Sequence, residues 1–192
     1  MSESDSNLVA VTLKQVCERA LKQGLAEFLL IGGNAVIAHG VPRFTRDIDF
    51  VVPERVLPDW RRFLEAEGHA FLHATPAFAQ FWDEARARPR IDLMIVDEST
   101  WETLSSGAGV AEFDEGIPVP VAAADHLIAM KLKALKAPGR RADAQDWSDI
   151  IELTMRSGFD PQKDESFRDL VLHFGSEELL SRLVNEIRSR AR

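Results

Sequence analysis

The chain has 192 residues, 45% of them hydrophobic and 28% charged, which suffices for one full domain core or one domain with a helical appendage. A formal net charge of -8 argues against a broad nucleic-acid footprint, although a nucleotide held through metal ions needs none. The single cysteine, Cys17, excludes an internal disulfide framework and points to a reducing compartment. No apolar run approaches the roughly 18 residues of a membrane span, and the acidic start MSESDSN lacks a signal-peptide core, so a cytoplasmic protein without membrane contact is expected.

Residues 1–9 read as a disordered lead-in. Val11 to Gln23 has helical periodicity and stops at Gly24, with Cys17 on the apolar side beside Val11, Leu13, Val16 and Leu21. Phe28 to Ile31 is a short buried strand. Gly32-Gly33 break it, Asn34 can cap a helix over Ala35 to His39, and Gly40-Val41-Pro42 ends that helix. A second strand covers Asp47 to Val52, and Glu54 to Glu67 is helical in period. Ala70 to Leu72 and Phe78 to Trp82 are short strands, and Arg86 to Arg90 is a polar connection into the strong strand Ile91 to Val96. Ser99 suits the N-cap of a helix through Leu104, and Val110 to Phe113 and Ile117 to Val121 suit edge strands around Glu115-Gly116. Helices follow over Ala124 to Lys136, Asp143 to Arg156, Glu165 to Phe174 and Glu177 to about Arg190. The expectation is an α/β fold, a mixed twisted sheet with packed helices. Its core spans residues 10–121, and a helical portion, 122–192, packs on it.

The chemistry concentrates between Leu29 and Val52. Side chains alternate along a strand, so Asp47 and Asp49 share one face while Ile48 and Phe50 share the other. Two adjacent carboxylates repel, and burying them adds a desolvation cost. A divalent cation is the simplest reason to keep them together. On the helix around Lys131, the residues Leu127, Ile128, Met130, Leu132, Ala134 and Leu135 cover one face, and Lys131 falls near its middle. A lysine on a buried stripe needs an anion. Its partner without nucleotide is expected to be Asp146 or Asp92, and Lys131→Met, which keeps the stem's packing, is expected to hold or raise stability.

Gly32-Gly33, thirteen intervening residues and the triplet Asp47-Ile48-Asp49 resemble the signature of the nucleotidyltransferase superfamily that includes polymerase β. Ile91-Asp92-Leu93 matches the family's third acid on a later strand. Arg43-x-Thr45-x-Asp47-x-Asp49 is similar to small prokaryotic members, the abortive-infection type II toxins. Leu127 to Leu132, with Lys131, looks like their second motif. Arg141-x-Asp143-x-x-Asp146-x-x-Asp149 resembles the one after it.

The resemblance implies transfer of a nucleoside monophosphate from an NTP to a hydroxyl or phosphate acceptor, with Mg²⁺ or Mn²⁺ on Asp47, Asp49 and Asp92. It implies that Asp92 helps activate the acceptor and that Lys131 meets the triphosphate. The nucleotide would be bound by Gly32, Gly33, Asn34, Arg43, Thr45, Lys131 and Asp146. The acceptor stays open between tRNA, another protein and a small molecule, and an antitoxin-type partner is expected. The alternative is a non-catalytic nucleotide-binding or antitoxin-like partner with the same fold.

Overall fold

The structure is a computed structural model that describes residues 3–83, 85, 87–113, 117–136 and 144–190. The chain divides into two compact units: one holds the residues up to Ala38 together with Arg43–Ala122, the other His39–Pro42 together with the chain from Ala123 onward.

The first unit opens with α1 (Glu3–Lys22), then β1 (Leu29–Ile31), α2 (Gly32–Ala38) and β2 (Ile48–Pro53). A 3₁₀ turn over Glu54–Val56 leads into α3 (Leu57–Ala66), followed by β3 (Ala70–Ala74), β4 (Phe78–Trp82) and β5 (Ile91–Val96). The unit closes with α4 (Glu98–Ser106), β6 (Gly109–Phe113) and β7 (Ile117–Val121). All seven strands form one mixed sheet in the order β3-β4-β5-β2-β1-β7-β6. β2 runs parallel to β5 and β1 parallel to β7, while the remaining pairs are antiparallel. This is the α/β fold expected from the sequence.

The alternation in β5 decides which face carries chemistry. Ile91, Leu93 and Ile95 are buried, whereas Asp92, Met94 and Val96 are half-buried on the opposite face. β2 is central, so Phe50, Val51 and Val52 are buried on both faces. Phe28, Phe50 and Trp60 pack edge-on or tilted with ring centroids 5.3–5.6 Å apart, and this cluster pins α3 to the sheet behind the acids. Truncating Phe50 or Trp60 to Ala is a large-to-small core change that costs about 3–5 kcal/mol.

Several local expectations need correction. The structure has helix from Glu3, so residues 3–9 are not a disordered lead-in. The buried stripe of α1 is Val9, Leu13, Val16, Cys17 and Ala20, with Val11 exposed. Burial pushes the Cys17 thiol up to about 12, which fits a core residue and not a nucleophile. α4 is capped by Asp97, whose carboxylate accepts from Thr100 N at 2.8 Å, and not by Ser99. α2 begins at Gly32, which places Asn34 inside the helix, where it is no cap.

The second unit holds α5 (Ala124–Leu135), α6 (Ala144–Arg156), α7 (Glu165–Phe174) and α8 (Glu177–Arg190). Leu127, Ile128 and Leu132 of α5 and Ile150, Ile151 and Leu153 of α6 are buried, as are Phe167, Val171 and Leu183. Three arginines of α8 make contacts within this unit. Arg182 lies 4.2 Å over the Trp147 ring, Arg188 donates to Gln162, and Arg190 pairs with Glu152. Arg141 and Asp143 lie outside the described residues, as does the Glu115-Gly116 turn. Among the described residues no helix is long and apolar enough to cross a membrane.

Candidate active site

The β1–α2 turn is built against the Asp-x-Asp strand. Ile31 pairs with Asp49, so the turn that follows Ile31 lies beside the Asp49 side chain. Gly32 has φ +63°, and a Cβ built on it falls 2.1 Å from Asp49 Oδ2. No residue but glycine fits both the backbone conformation and the carboxylate. A Cβ on Gly33 falls 2.5 Å from Thr45 Oγ1 and 3.2 Å from Arg43 Cζ. From sequence, the glycines let a triphosphate approach the backbone. In the structure the space their missing Cβ atoms leave is taken by Asp49, Thr45 and Arg43.

Asn34 and Thr45 meet at one backbone atom. Asn34 is buried, and its Nδ2 donates to Asp47 O at 2.9 Å, while Thr45 Oγ1 donates to the same carbonyl at 3.3 Å. Two donors from different elements hold the chain at the entry to β2, and so orient the first acid. Arg43 Nε donates to Phe44 O at 3.3 Å. Asp47 itself sits one residue before β2, which starts at Ile48 and so one residue later than expected.

The acids gather on one face. Asp49 is the register partner of Asp92 across the parallel β2–β5 pair, and Asp92 is opposite Gln80 across β4–β5. Arg90 joins them: its Nη2 lies 2.9 Å from Asp47 Oδ2 and 3.0 Å from Asp92 Oδ2. Asp92 is raised above the ordinary carboxylate range, chiefly by desolvation, with Arg90 acting against the rise and Asp47 adding to it. Asp92 Oδ1 and Arg90 Nε are buried without a hydrogen-bond partner among the described residues. The donor set, three carboxylates with one buried oxygen unused, suits a hard divalent cation. In this conformation Arg90 stands between two of them, and among the described residues no three His, Cys, Asp or Glu side chains converge closely enough to hold a metal.

The second unit carries its own charged cluster. Lys131 Nζ lies 2.9 Å from Asp146 Oδ1 and 2.7 Å from Asp149 Oδ2, and Gln145 Nε2 donates to Asp149 Oδ1 at 3.0 Å. The side chains of Lys131, Asp146 and Asp149 are 10%, 12% and 1% exposed. The expected Lys131–Asp146 pair is present, while Lys133 and Lys136 are exposed. Asp149, which belongs to the quoted motif but was not the expected partner of Lys131, is the deeper of the two. Arg90 and Gln80 were missed. Strand alternation, which puts Arg90 two residues before Asp92 on the same face, was the available signal for Arg90.

The family described as "Nucleotidyl transferase AbiEii toxin, Type IV TA system" matches residues 17–190, which is nearly the whole chain. The chain belongs to the AbiEii family. It is therefore a nucleotidyltransferase of a toxin–antitoxin family. Solved structures agree on the fold. The antibiotic-resistance factor ANT(2'')-Ia is 18% identical with a TM-score of 0.56, over 97% of this chain and 94% of that one. The lincosamide antibiotic adenylyltransferase LnuA is 16% identical with a TM-score of 0.55, over 80% of this chain and 97% of that one. An antigenic nucleotidyltransferase-like protein from Paracoccidioides brasiliensis is 14% identical with a TM-score of 0.54, over 96% and 94%. At these identities the likeness concerns the fold alone. No curated protein sequence matches the chain. Within the AbiEii family reading, Arg43, Thr45, Asp47 and Asp49 belong to one folded block with Gly32 and Gly33, and Lys131, Asp146 and Asp149 to another.

Proposed function

We propose that this AbiEii-family chain transfers a nucleoside monophosphate from an NTP to a hydroxyl or phosphate acceptor in a divalent-metal-dependent reaction, with tRNA as its target. The observation that carries the reading is the placement of Asp47, Asp49 and Asp92 on one face, with Gly32 shaped to Asp49. Asp47, Asp49 and Asp92 would hold Mg²⁺ or Mn²⁺, which would neutralise charge on the attacking and leaving oxygens. The acceptor oxygen attacks the α-phosphorus, the new P–O bond forms, the bond to the β-phosphate bridging oxygen breaks, and pyrophosphate leaves. Asp92, set beside Asp49 by the β2–β5 register, takes the acceptor proton on its carboxylate. Asn34 and Thr45 act through the Asp47 carbonyl, which they hold. Arg43 and the α2 amides after Gly32 and Gly33 receive nucleotide phosphate. In the second unit, Lys131 is proposed to bind nucleotide phosphate, with Asp146 and Asp149 as the carboxylates that hold it beforehand.

Toxin-family membership supports an antitoxin-type partner and a cellular macromolecule as target. Two structural neighbours suggest the other acceptor class, since ANT(2'')-Ia is described with adenylyl-2''-tobramycin and LnuA with lincomycin. Incubating the protein with each α-labelled NTP, Mg²⁺, and either purified tRNA or an aminoglycoside separates the two. Label in tRNA supports the proposal, and label in the antibiotic alone replaces the acceptor. No label anywhere favours the non-catalytic reading: with a rise in melting temperature on adding Mg²⁺ and ATP together it is the nucleotide-binding form, and without one the antitoxin-like partner.

A further inference from the structure

Arg90 is an unusual member of an acidic site. Its carbonyl accepts from Ile48 N at 2.9 Å, which extends the β2–β5 pairing by one residue and sets Arg90 beside Asp47. Arg90 and Asp92 lie two apart on one strand, as do Asp47 and Asp49 at the start of the other. Four charged side chains thus form a two-by-two block on one face, with three carboxylates and one guanidinium. Strand geometry spaces the block at about 4.8 Å across strands and about 6.6 Å along them.

The bridge has the features of a placeholder and lacks those of a permanent tie. A structural arginine in an acidic site normally engages a carboxylate with two nitrogens in parallel. Here one nitrogen, Nη2, serves both Asp47 and Asp92, while Arg90 Nε and Asp92 Oδ1 stay buried without partners among the described residues. Both sides of the bridge therefore keep an uncompensated polar atom, which is costly in a desolvated setting. The Arg90 side chain is 36% exposed, so it has a route to water. A divalent ion coordinates carboxylate oxygen at about 2.0–2.1 Å for Mg²⁺, in the space that Nη2 now occupies at 2.9 and 3.0 Å. Arg90 Nη2 and a divalent cation cannot occupy that same point between the two oxygens.

We propose that Arg90 is a positioning residue, an internal cation that keeps Asp47 and Asp92 aimed at a common point and is displaced when a divalent ion enters. The inference rests on the metal-dependent reading above. It adds that metal affinity is set by competition with a side chain of the protein itself. Without Arg90 the three carboxylates present their full charge to an incoming ion, so binding tightens although the free protein is less well ordered.

The test uses the full chain and Mn²⁺ alone as probe, followed by electron paramagnetic resonance or calorimetry, with the wild type, Arg90→Gln, Arg90→Lys and Asp49→Asn compared. Arg90→Gln is expected to lower the Mn²⁺ dissociation constant by about tenfold or more, since a unit charge within about 4 Å of a bound ion is being removed. Arg90→Lys, which keeps the charge, should stay within about threefold of wild type, and Asp49→Asn should bind much more weakly. Unchanged or weaker binding in Arg90→Gln overturns the inference and leaves the metal reading standing. Wild type indistinguishable from Asp49→Asn, with neither binding at millimolar Mn²⁺, overturns both. A wild-type measurement covers the case in which Arg90→Gln does not fold. The Arg90 Nε–H signal, assigned from Arg90→Lys, should exchange with water faster once Mg²⁺ saturates the site. A signal that stays equally protected with saturating Mg²⁺ overturns the displacement.

Discussion

Lys131→Met tests most directly what the tertiary structure adds. Judged from the sequence, the substitution keeps the aliphatic stem and should hold or raise stability. The structure reverses that expectation, because Lys131 neutralises two carboxylates at once, at 2.9 Å from Asp146 and 2.7 Å from Asp149. Asp149 is only 1% exposed, and Gln145 can satisfy one of its oxygens but cannot balance its charge. Removing the shared cation strands two buried acids, the situation in which loss of one member of a buried ion pair costs about 3–5 kcal/mol. For a chain of this size about 2–4 °C of melting temperature is lost per kcal/mol, so a drop of about 6–20 °C is expected. The assay is a set of urea and thermal melts of wild type, Lys131→Met, Asp149→Asn and the double variant at constant pH. The double variant should recover at least about half of the loss, because the deepest unpaired charge is gone, and the cycle should yield a coupling of about 2–3 kcal/mol. Lys133→Met, an exposed position, serves as the control and should stay within about 0.5 kcal/mol. A Lys131→Met variant that melts within about 1 kcal/mol of wild type would falsify the reading of this cluster as a buried ion trio.

Gly32→Ala should abolish nucleotidyl transfer and cost about 1–2 kcal/mol, since its Cβ would meet Asp49 Oδ2 at 2.1 Å on a backbone with φ +63°; activity assays and melts decide it, and retained activity would mean Asp49 need not sit where it does. Asp47→Asn and Asp49→Asn should each abolish transfer while the melting temperature changes little, because relief of carboxylate repulsion offsets lost contacts; activity in either variant would remove that acid from the reaction. Stability should fall as pH drops below about 6.5, the ordinary histidine value, through the contribution of His69. Buried His69 is held below that value by desolvation and then by Arg88, so its neutral form is the folded one and protons bind preferentially to the unfolded chain. Melts from pH 8 to 5 check this, and His69→Leu should flatten the acid side of the curve.

Much of the site was legible because it is local. The Gly-Gly turn and the Asp-x-Asp strand fall within eighteen residues, and alternation along a strand is a backbone property that puts Asp47 and Asp49 on one face without knowledge of neighbours. Helical periodicity likewise placed Lys131 on a buried face, and seven strands and the main helices announced themselves by period and by their glycine and proline stops. Pairing across the sheet was not legible in the same way. That Asp49 lies beside Asp92, that Gln80 faces Asp92, and that Arg90 reaches Asp47 all depend on β2 running parallel to β5 in one particular register. Register is set by long-range packing of both faces, and a shift of one residue would turn the acids of the shifted strand toward the core. The role of Gly32 changed for the same reason. A glycine in a sequence signals conformational freedom, but only the fold shows that an Asp49 oxygen, donated from the neighbouring strand, occupies the place of its side chain.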